Sequence, residues 1–382
     1  MVKIADVVII GGGISGLSIA YNLAKKGAKN IVVIEKSYIT SGATGRCGAG
    51  VRQQWGTEMN CRLAMESIKF FEKANEELEY NRDVEFKQQG YLILSSSKKE
   101  NEQFRKNVEL QRRLGIEVDF LSPEEAREIV PYLNTEKVMG ATYCAKDGHL
   151  NPFLATDAYA NAAKRLGVEI MTYTEVLSIN VERGKISGVV TSKGEIKTEV
   201  VVNAAGGYSK QVGLMAGVDI PVYSRRHQIM VTEPVKEMQE PMVISFSHNF
   251  YCQQTPHGSF IAGRGDDDEP TDLRLTSSWG FLEEMSKTIK NILPPLADLR
   301  VIRQWAGLYN MSPDKQPIYG AVNGVKGFYL AIGFSGHGFM FAPMTGLLIS
   351  EIILGEKTSL DISKLDLDRF NRGELVFEPS VV

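Results

Sequence analysis

At 382 residues the chain exceeds one minimal domain and suits either one large α/β body or two intimately connected domains. Its composition, 43% hydrophobic and 23% charged, is that of an ordinary soluble protein with a substantial core, and a net charge of −3 excludes the basic field that nucleic acid or an anionic membrane would need. The four cysteines, Cys47, Cys61, Cys144 and Cys252, form no CxxC pair; this argues against a metal cluster or disulfide framework and fits a reducing cytoplasm.

Ile4 to Ile10 is rich in β-branched residues and reads as one buried parallel strand. It runs straight into glycines rather than a cleavage site, so no signal peptide is expected. Gly11-Gly12-Gly13-Ile14-Ser15-Gly16 follows, and Ile14 to Lys26 has helical spacing with Leu17, Ala20, Tyr21 and Ala24 on one face. A second β-rich run, Ile31 to Ile34, ends in Glu35. Strand, GxGxxG, helix, strand and acid together make a dinucleotide-binding βαβ unit. Gly11 allows the tight turn, Gly13 lets the backbone approach a pyrophosphate, and Gly16 brings helix against strand. The helix-start N–H groups of Ile14 and Ser15 face the phosphates, and Glu35, nineteen positions after Gly16, accepts from ribose hydroxyls. Such a cradle serves NAD or FAD. A pyridine-nucleotide disulfide reductase would need a second fingerprint, and neither Gly263-Arg264-Gly265 nor Gly336-His337-Gly338 follows the required order.

Further along, Ser41 to Gly50 is small and glycine-rich, as expected where backbone passes close to a flat ring. Ser97 to Leu114 and Thr276 to Leu293 read as helices. Val176 to Val181 and Ile186 to Thr191 form a β meander, and Val200 to Asn203 returns as a strand. Val222 to Thr232, Tyr251 to Thr255 and Phe260 to Gly263 are further strands. Asp266-Asp267-Asp268-Glu269 fits no calcium loop and reads as a solvated acidic loop; no metal site is expected. Gly336-His337-Gly338 opens a helical run to Leu354, where a helix N-terminus would stabilise negative charge. Its apolar part, from Phe339, is broken by Pro343 and Gly346 and is too short to span a bilayer, so it reads as a buried helix and no transmembrane segment is expected.

The order of several motifs resembles the D-amino-acid oxidase-like flavoenzymes, in their sarcosine oxidase branch. These motifs are the N-terminal fingerprint, Ser41-Gly42-Ala43-Thr44-Gly45-Arg46 with Val51-Arg52, Asp147-Gly148-His149-Leu150-Asn151-Pro152, Val202-Asn203-Ala204-Ala205-Gly206-Gly207, Trp305-Ala306-Gly307-Leu308-Tyr309 with Pro313-Asp314, and Gly333-Phe334-Ser335-Gly336-His337-Gly338-Phe339. Within the branch the chain looks most like the FAD-bearing β subunits of heteromeric sarcosine oxidases and dye-linked L-proline dehydrogenases.

The resemblance implies an α/β fold: a Rossmann-like FAD-binding domain interleaved with an α+β substrate domain built on an antiparallel sheet. Residues 1–85, 146–215 and 325–382 would form the first, and 86–145 with 216–324 the second. It implies FAD as cofactor, contacted by Gly11, Gly13, Ile14, Ser15, Gly16, Glu35, Lys36, Thr44, Gly45, Arg46, Val176, Ala205, Gly206, Gly333, Gly336, His337, Gly338, Phe339 and Met340. It also implies oxidation of a secondary amino acid, L-proline foremost, by hydride transfer to FAD. Arg52 matches the family's carboxylate anchor, and a guanidinium fork suits a carboxylate bidentately. Where monomeric sarcosine oxidases carry a second anchoring lysine, this chain has Met340; Arg225, Arg226 or Arg303 are candidates to replace it. Their oxygen-activating lysine is missing from Gly258 to Gly263, which favours a dehydrogenase over an oxidase. Tyr251, His227 and Tyr309 are candidate pocket residues. The heteromeric relatives imply a second flavoprotein subunit, with FMN at the interface. Asn151-Pro152-Phe153 lacks the histidine that tethers it in some relatives, so FMN here would be non-covalent, although His149 is close. An oxygen-using sarcosine or glycine oxidase, and an electron-relay subunit never reduced by substrate, are the alternatives.

Overall fold

The computed structural model describes residues 3–379. The apolar run at the front divides between two sheets instead of forming one strand. Lys3–Ile4 pairs in parallel with Gly194–Lys197 at the edge of a four-stranded sheet, whereas Val7–Ile10 enters a six-stranded sheet. The turn lies at Ala5 and Asp6, whose amides donate to Lys197 O and Asn30 O respectively, while Ile4 is left 72% exposed. Periodicity alone does not reveal such a switch, because both halves are β-branched.

In the six-stranded sheet the order is Ile318–Ala321, Phe328–Ile332, Val201–Asn203, Val7–Ile10, Ile31–Ile34, Glu169–Met171. All pairings are parallel except that of the first two strands. Val7–Ile10 and Ile31–Ile34 are buried at every position, as a sheet covered on both faces requires. On one face lie the helices Ile14–Lys25 and Gly338–Ile353. The second runs unbroken through Pro343 and Gly346, and Gly346 lets it cross the first closely: a Cβ there would lie 2.1 Å from Ser18 Oγ. The expected division between residues 324 and 325 falls inside the hairpin Ile318–Ala321/Phe328–Ile332, and both strands of that hairpin belong to the six-stranded sheet.

The meander, Val176–Glu182, Lys185–Thr191 and Gly194–Lys197, is antiparallel throughout. An eight-stranded sheet has the order Val301–Met311, Tyr223–Pro234, Ser259–Arg264, Phe250–Gln254, Met242–Ser245, Tyr91–Ser95, Gly140–Cys144, Asp119–Leu121. The helices Lys98–Arg113 and Trp279–Ile292 begin after Ser97 and Ser278, whose hydroxyls accept the amides of Glu100 and Phe281. A short antiparallel ribbon, Gly50–Val51 against Gly148–His149, ties the glycine-rich segment to the later Asp-Gly-His motif. No helix among the described residues is long and apolar enough to cross a membrane.

Candidate active site

The front cradle is shaped by backbone proximity. Gly11 adopts φ +121°, and a Cβ there would lie 2.3 Å from Ala204 O; a Cβ on Gly16 would lie 2.1 Å from Gly11 O. A side chain at either position would push apart the two strands and helix that define the notch. Gly13 is the N-cap of Ile14–Lys25 and supplies no side-chain cap, so the helix start is open to an anionic ligand. Thr44 closes one side, its Oγ1 accepting the Ile14 amide at 3.2 Å. Gly45 packs against Thr40 O, where a Cβ would sit at 2.4 Å. Glu35 stands at the strand end with Oε2 accepting the Gly12 amide (2.9 Å) and Oε1 accepting the Ser37 amide (2.9 Å) and Ser41 Oγ (3.2 Å). Lys36 caps the ring of Tyr208 at 3.1 Å, beside Ala205 and Gly206, and Val176 begins the first meander strand. These glycine notches and the helix start, where Thr44 takes the Ile14 amide and Gly13 brings no side chain, fit a dinucleotide pyrophosphate.

Beyond the cradle, a cavity with about 970 Å³ of empty volume, partly continuous with solvent, lies between the glycine-rich segment, the eight-stranded sheet and the Gly336-His337-Gly338 turn. Arg46, Arg52, His227, Tyr251, Tyr309, Gly336, His337, Phe339 and Met340 all line it. The turn that delivers the last four is held by Asn310, whose Oδ1 accepts the Gly333 amide (2.7 Å) and whose carbonyl accepts the Ser335 amide (2.9 Å). Gly333, Ser335 and Gly336 have φ of +72°, +50° and +102°. At Gly336 the ring of Tyr309 leaves no room for a Cβ, which would come within 2.6 Å.

Arg52 is only 3% exposed. Its Nη1 donates to Gln54 O at 2.8 Å, and its guanidinium lies 4.0 Å from the Trp55 ring centre. His227 is sandwiched between Tyr309 (centroids 4.3 Å apart, 3° between planes) and Tyr251 (5.7 Å, 6°). His337 meets Trp55 and Phe341 edge-on at 5.1 and 5.2 Å. Burial pushes His227 down to about 4; burial and then the Arg52 charge push His337 down to about 3, so both rings are neutral at pH 7. The Nε2 atoms of both are buried without a partner among the described residues. Burial raises the Tyr251 and Tyr309 phenols, which stay protonated.

Other expected residues lie elsewhere. Arg46 reaches the cavity wall, yet its Nε donates to Ser41 O (3.1 Å) and its Nη1 to Ala306 O (3.1 Å). Arg225, Arg226 and Arg303 do not line the cavity. Arg226 grips Glu269 through two bonds of 2.7 and 2.9 Å, Arg225 pairs with Asp267 at 2.5 Å, and Arg303 sits near Trp305. The acidic run is therefore not simply a solvated loop: the Glu269 side chain is 8% exposed and serves as the counter-ion of Arg226.

Sequence reasoning missed Tyr91, Met242 and Phe246 on the wall. Tyr91–Ser95 and Met242–Ser245 are buried at every position, and such runs carry no mark separating wall from core. The structure places the Tyr91 hydroxyl in the space beside Gly50, 1.7 Å from where a Cβ would stand, a contact across forty-one residues.

Comparison with known proteins agrees with this geometry. The family described as DAO, FAD dependent oxidoreductase, matches residues 6–352. The sarcosine oxidase β subunit of Rhizobium meliloti is 30% identical over 98% of this chain and 90% of its own length. That of Rhodobacter capsulatus is 28% identical with the same coverage. Among solved structures, L-proline dehydrogenase from P. horikoshii superposes with a TM-score of 0.93 and 41% identity, covering 98% of this chain and all of its own. Glycine oxidase from Geobacillus kaustophilus shares the fold at a TM-score of 0.88 and 24% identity, covering 96% and 99%.

Proposed function

From a chain that belongs to the DAO family of FAD-dependent oxidoreductases, we propose oxidation of a secondary amino acid, L-proline foremost, with electrons passed to a second redox centre instead of oxygen. FAD, when bound, supplies the acceptor for the hydride leaving the carbon beside the amine. The protein's share is to hold the cofactor, seat the substrate and exclude competing charges. The notch of Gly11, Gly13 and Gly16 with the start of Ile14–Lys25 would take the pyrophosphate, and Glu35 the ribose. The start of the Gly338–Ile353 helix would face the flavin, where its positive end favours negative charge. The parallel sheet and meander would thus carry cofactor, and the eight-stranded sheet substrate.

The observation that carries this reading is Arg52, a buried guanidinium on a wall whose other cation, Arg46, is turned to the Ser41 and Ala306 carbonyls. A carboxylate placed there meets a cation in low dielectric. His227 and His337, neutral through burial, add no second positive charge, which matches a substrate with one carboxylate. Met340, Tyr251 and Tyr309 offer apolar surface suited to a pyrrolidine ring. The dehydrogenase assignment draws support from Ser259–Arg264, where Gly263 packs beneath the Tyr251 ring, 2.2 Å from a would-be Cβ. That ring fills the place a side chain would occupy. The β-subunit relatives support a further subunit, which we take to be a flavoprotein with FMN between the two, held non-covalently: Asn151, Pro152 and Phe153 offer no histidine, and His149 is 3% exposed.

Anaerobic mixing of the FAD-loaded protein with L-proline, sarcosine and glycine tests the reading. Bleaching by L-proline, with colour restored by a dye but not by air, is expected. Rapid reoxidation by air would make it an oxidase, and no bleaching by any of the three would leave an electron-relay subunit.

A further inference from the structure

Asp147 is fully buried and has no part in the chemistry above. Its Oδ1 accepts the Gln53 amide at 2.7 Å, and its Oδ2 accepts Gln54 Nε2 at 2.9 Å. The Gln54 side chain is fixed twice more, with Nε2 also donating to Tyr91 O (3.0 Å) and Oε1 accepting Thr142 Oγ1 (2.6 Å). The Gln54 carbonyl, in turn, receives Arg52 Nη1. On its other side Arg52 adjoins the ribbon in which Gly50 and Val51 pair with His149 and Gly148. Arg52 is thus bracketed by the Asp147-Gly148-His149 segment, through ladder bonds before it and a carboxylate after it. The groups touching that carboxylate are the Gln53 N–H, the Gln54 amide and the Cys144 thiol. All are donors, an arrangement made for an ionised acid.

We propose that Asp147 is the positioning residue of Arg52: its ionised carboxylate pins Gln53 and Gln54, so that the Gln54 carbonyl aims the guanidinium into the cavity. The inference rests on Arg52 being the carboxylate anchor. Two effects compete here. An ionised Asp147 weakens the pull of Arg52 on an anion, while its hydrogen bonds fix the geometry that makes a bidentate contact possible. The two fixed partners and the buried Gln54 network favour geometry. Burial, opposed by Gln54, Gln53, Cys144 and Arg52, lifts this carboxyl to about 7. The other titratable groups facing it or Arg52 are Tyr91, Tyr143, Cys61, His337 and Glu378; burial raises both phenols and the Cys61 thiol and lowers the His337 imidazole, all out of this range. Anion binding at Arg52 is therefore expected to weaken as pH falls through about 7.

The test is titration of tetrahydrofuran-2-carboxylate, a ring carboxylate without the amine, into the oxidised FAD enzyme, followed by the flavin spectrum between pH 6 and 9. Asp147→Asn should weaken binding at pH 8.5 by about tenfold and flatten the pH profile. With L-proline its KM should rise while kcat holds, at unchanged flavin content. Unchanged or tighter binding in Asp147→Asn would overturn the proposal, since charge rather than geometry would then dominate. Should that variant not fold, a pH-independent affinity in the unmodified enzyme would overturn it equally. If Arg52→Met leaves the affinity untouched, the anchor reading itself fails; if Arg52→Met weakens binding and Asp147→Asn does not, only this inference fails.

Discussion

Replacing Arg52 by methionine removes the cavity's buried cation while keeping side-chain length against the Trp55 ring, which the guanidinium covers at 4.0 Å. Because Arg52 is 3% exposed, a substrate carboxylate about 4 Å away meets it at an effective dielectric of about 20, which corresponds to about 4 kcal/mol of attraction. Part of this is offset by desolvating the carboxylate, and Arg52 already donates one bond to Gln54 O. The expected net loss of about 3 kcal/mol raises KM for L-proline roughly 100-fold. The loss falls in ground and transition states alike, so kcat changes little. Anaerobic stopped-flow reduction of the flavin measures both quantities: the substrate dependence of the observed rate gives apparent affinity, and its plateau gives the reduction rate. Flavin content and melting temperature serve as controls, because Trp55 Nε1 donates to the Arg52 carbonyl and that bond survives the substitution. An apparent affinity within twofold of the unmodified enzyme would refute the reasoning.

Gly16→Ala would put a methyl 2.1 Å from Gly11 O, and relieving it to ordinary contact parts helix and turn by about 1.3 Å. Such overpacking costs about 1–3 kcal/mol and widens the pyrophosphate notch, so the variant should purify with little FAD; full retention of flavin after gel filtration would count against the cradle. His227 and His337 are depressed below their unfolded value, so the stability they contribute is complete above about 6.5 and is lost as pH falls from there towards about 4 and about 3. Urea midpoints should drop between pH 7 and 5, and His227→Phe should make that drop shallower; an identical pH dependence in the variant would sink the argument. If the proposed flavoprotein subunit co-purifies, acid precipitation of the complex should leave a colourless pellet, since both flavins are expected to be non-covalent. A yellow pellet would contradict this.

Much of the proposed cofactor cradle was legible locally. The βαβ unit is continuous in sequence, and Gly16 is required by a contact only a few residues away, Gly11 O, although Gly11 itself is required by Ala204 O far along the chain. The Gly336-His337-Gly338 segment likewise announced a helix start, and the helix Gly338–Ile353 begins there. The strand boundary at Ala5 and Asp6 was not legible, because the partner that captures Lys3–Ile4 is Gly194–Lys197, far along the chain. Nor were the fates of Arg225 and Arg226, which depend on where an acidic loop about forty residues later comes to rest.

The sequence by itself thus determined the strand–helix–strand unit at the front, because it is built from consecutive residues. Only the tertiary structure decided which residues share the second cavity. Arg52, His227, Tyr251, Tyr309 and His337 come from five separate segments, and burial there, which no local pattern encodes, makes the histidines neutral beside the Arg52 guanidinium.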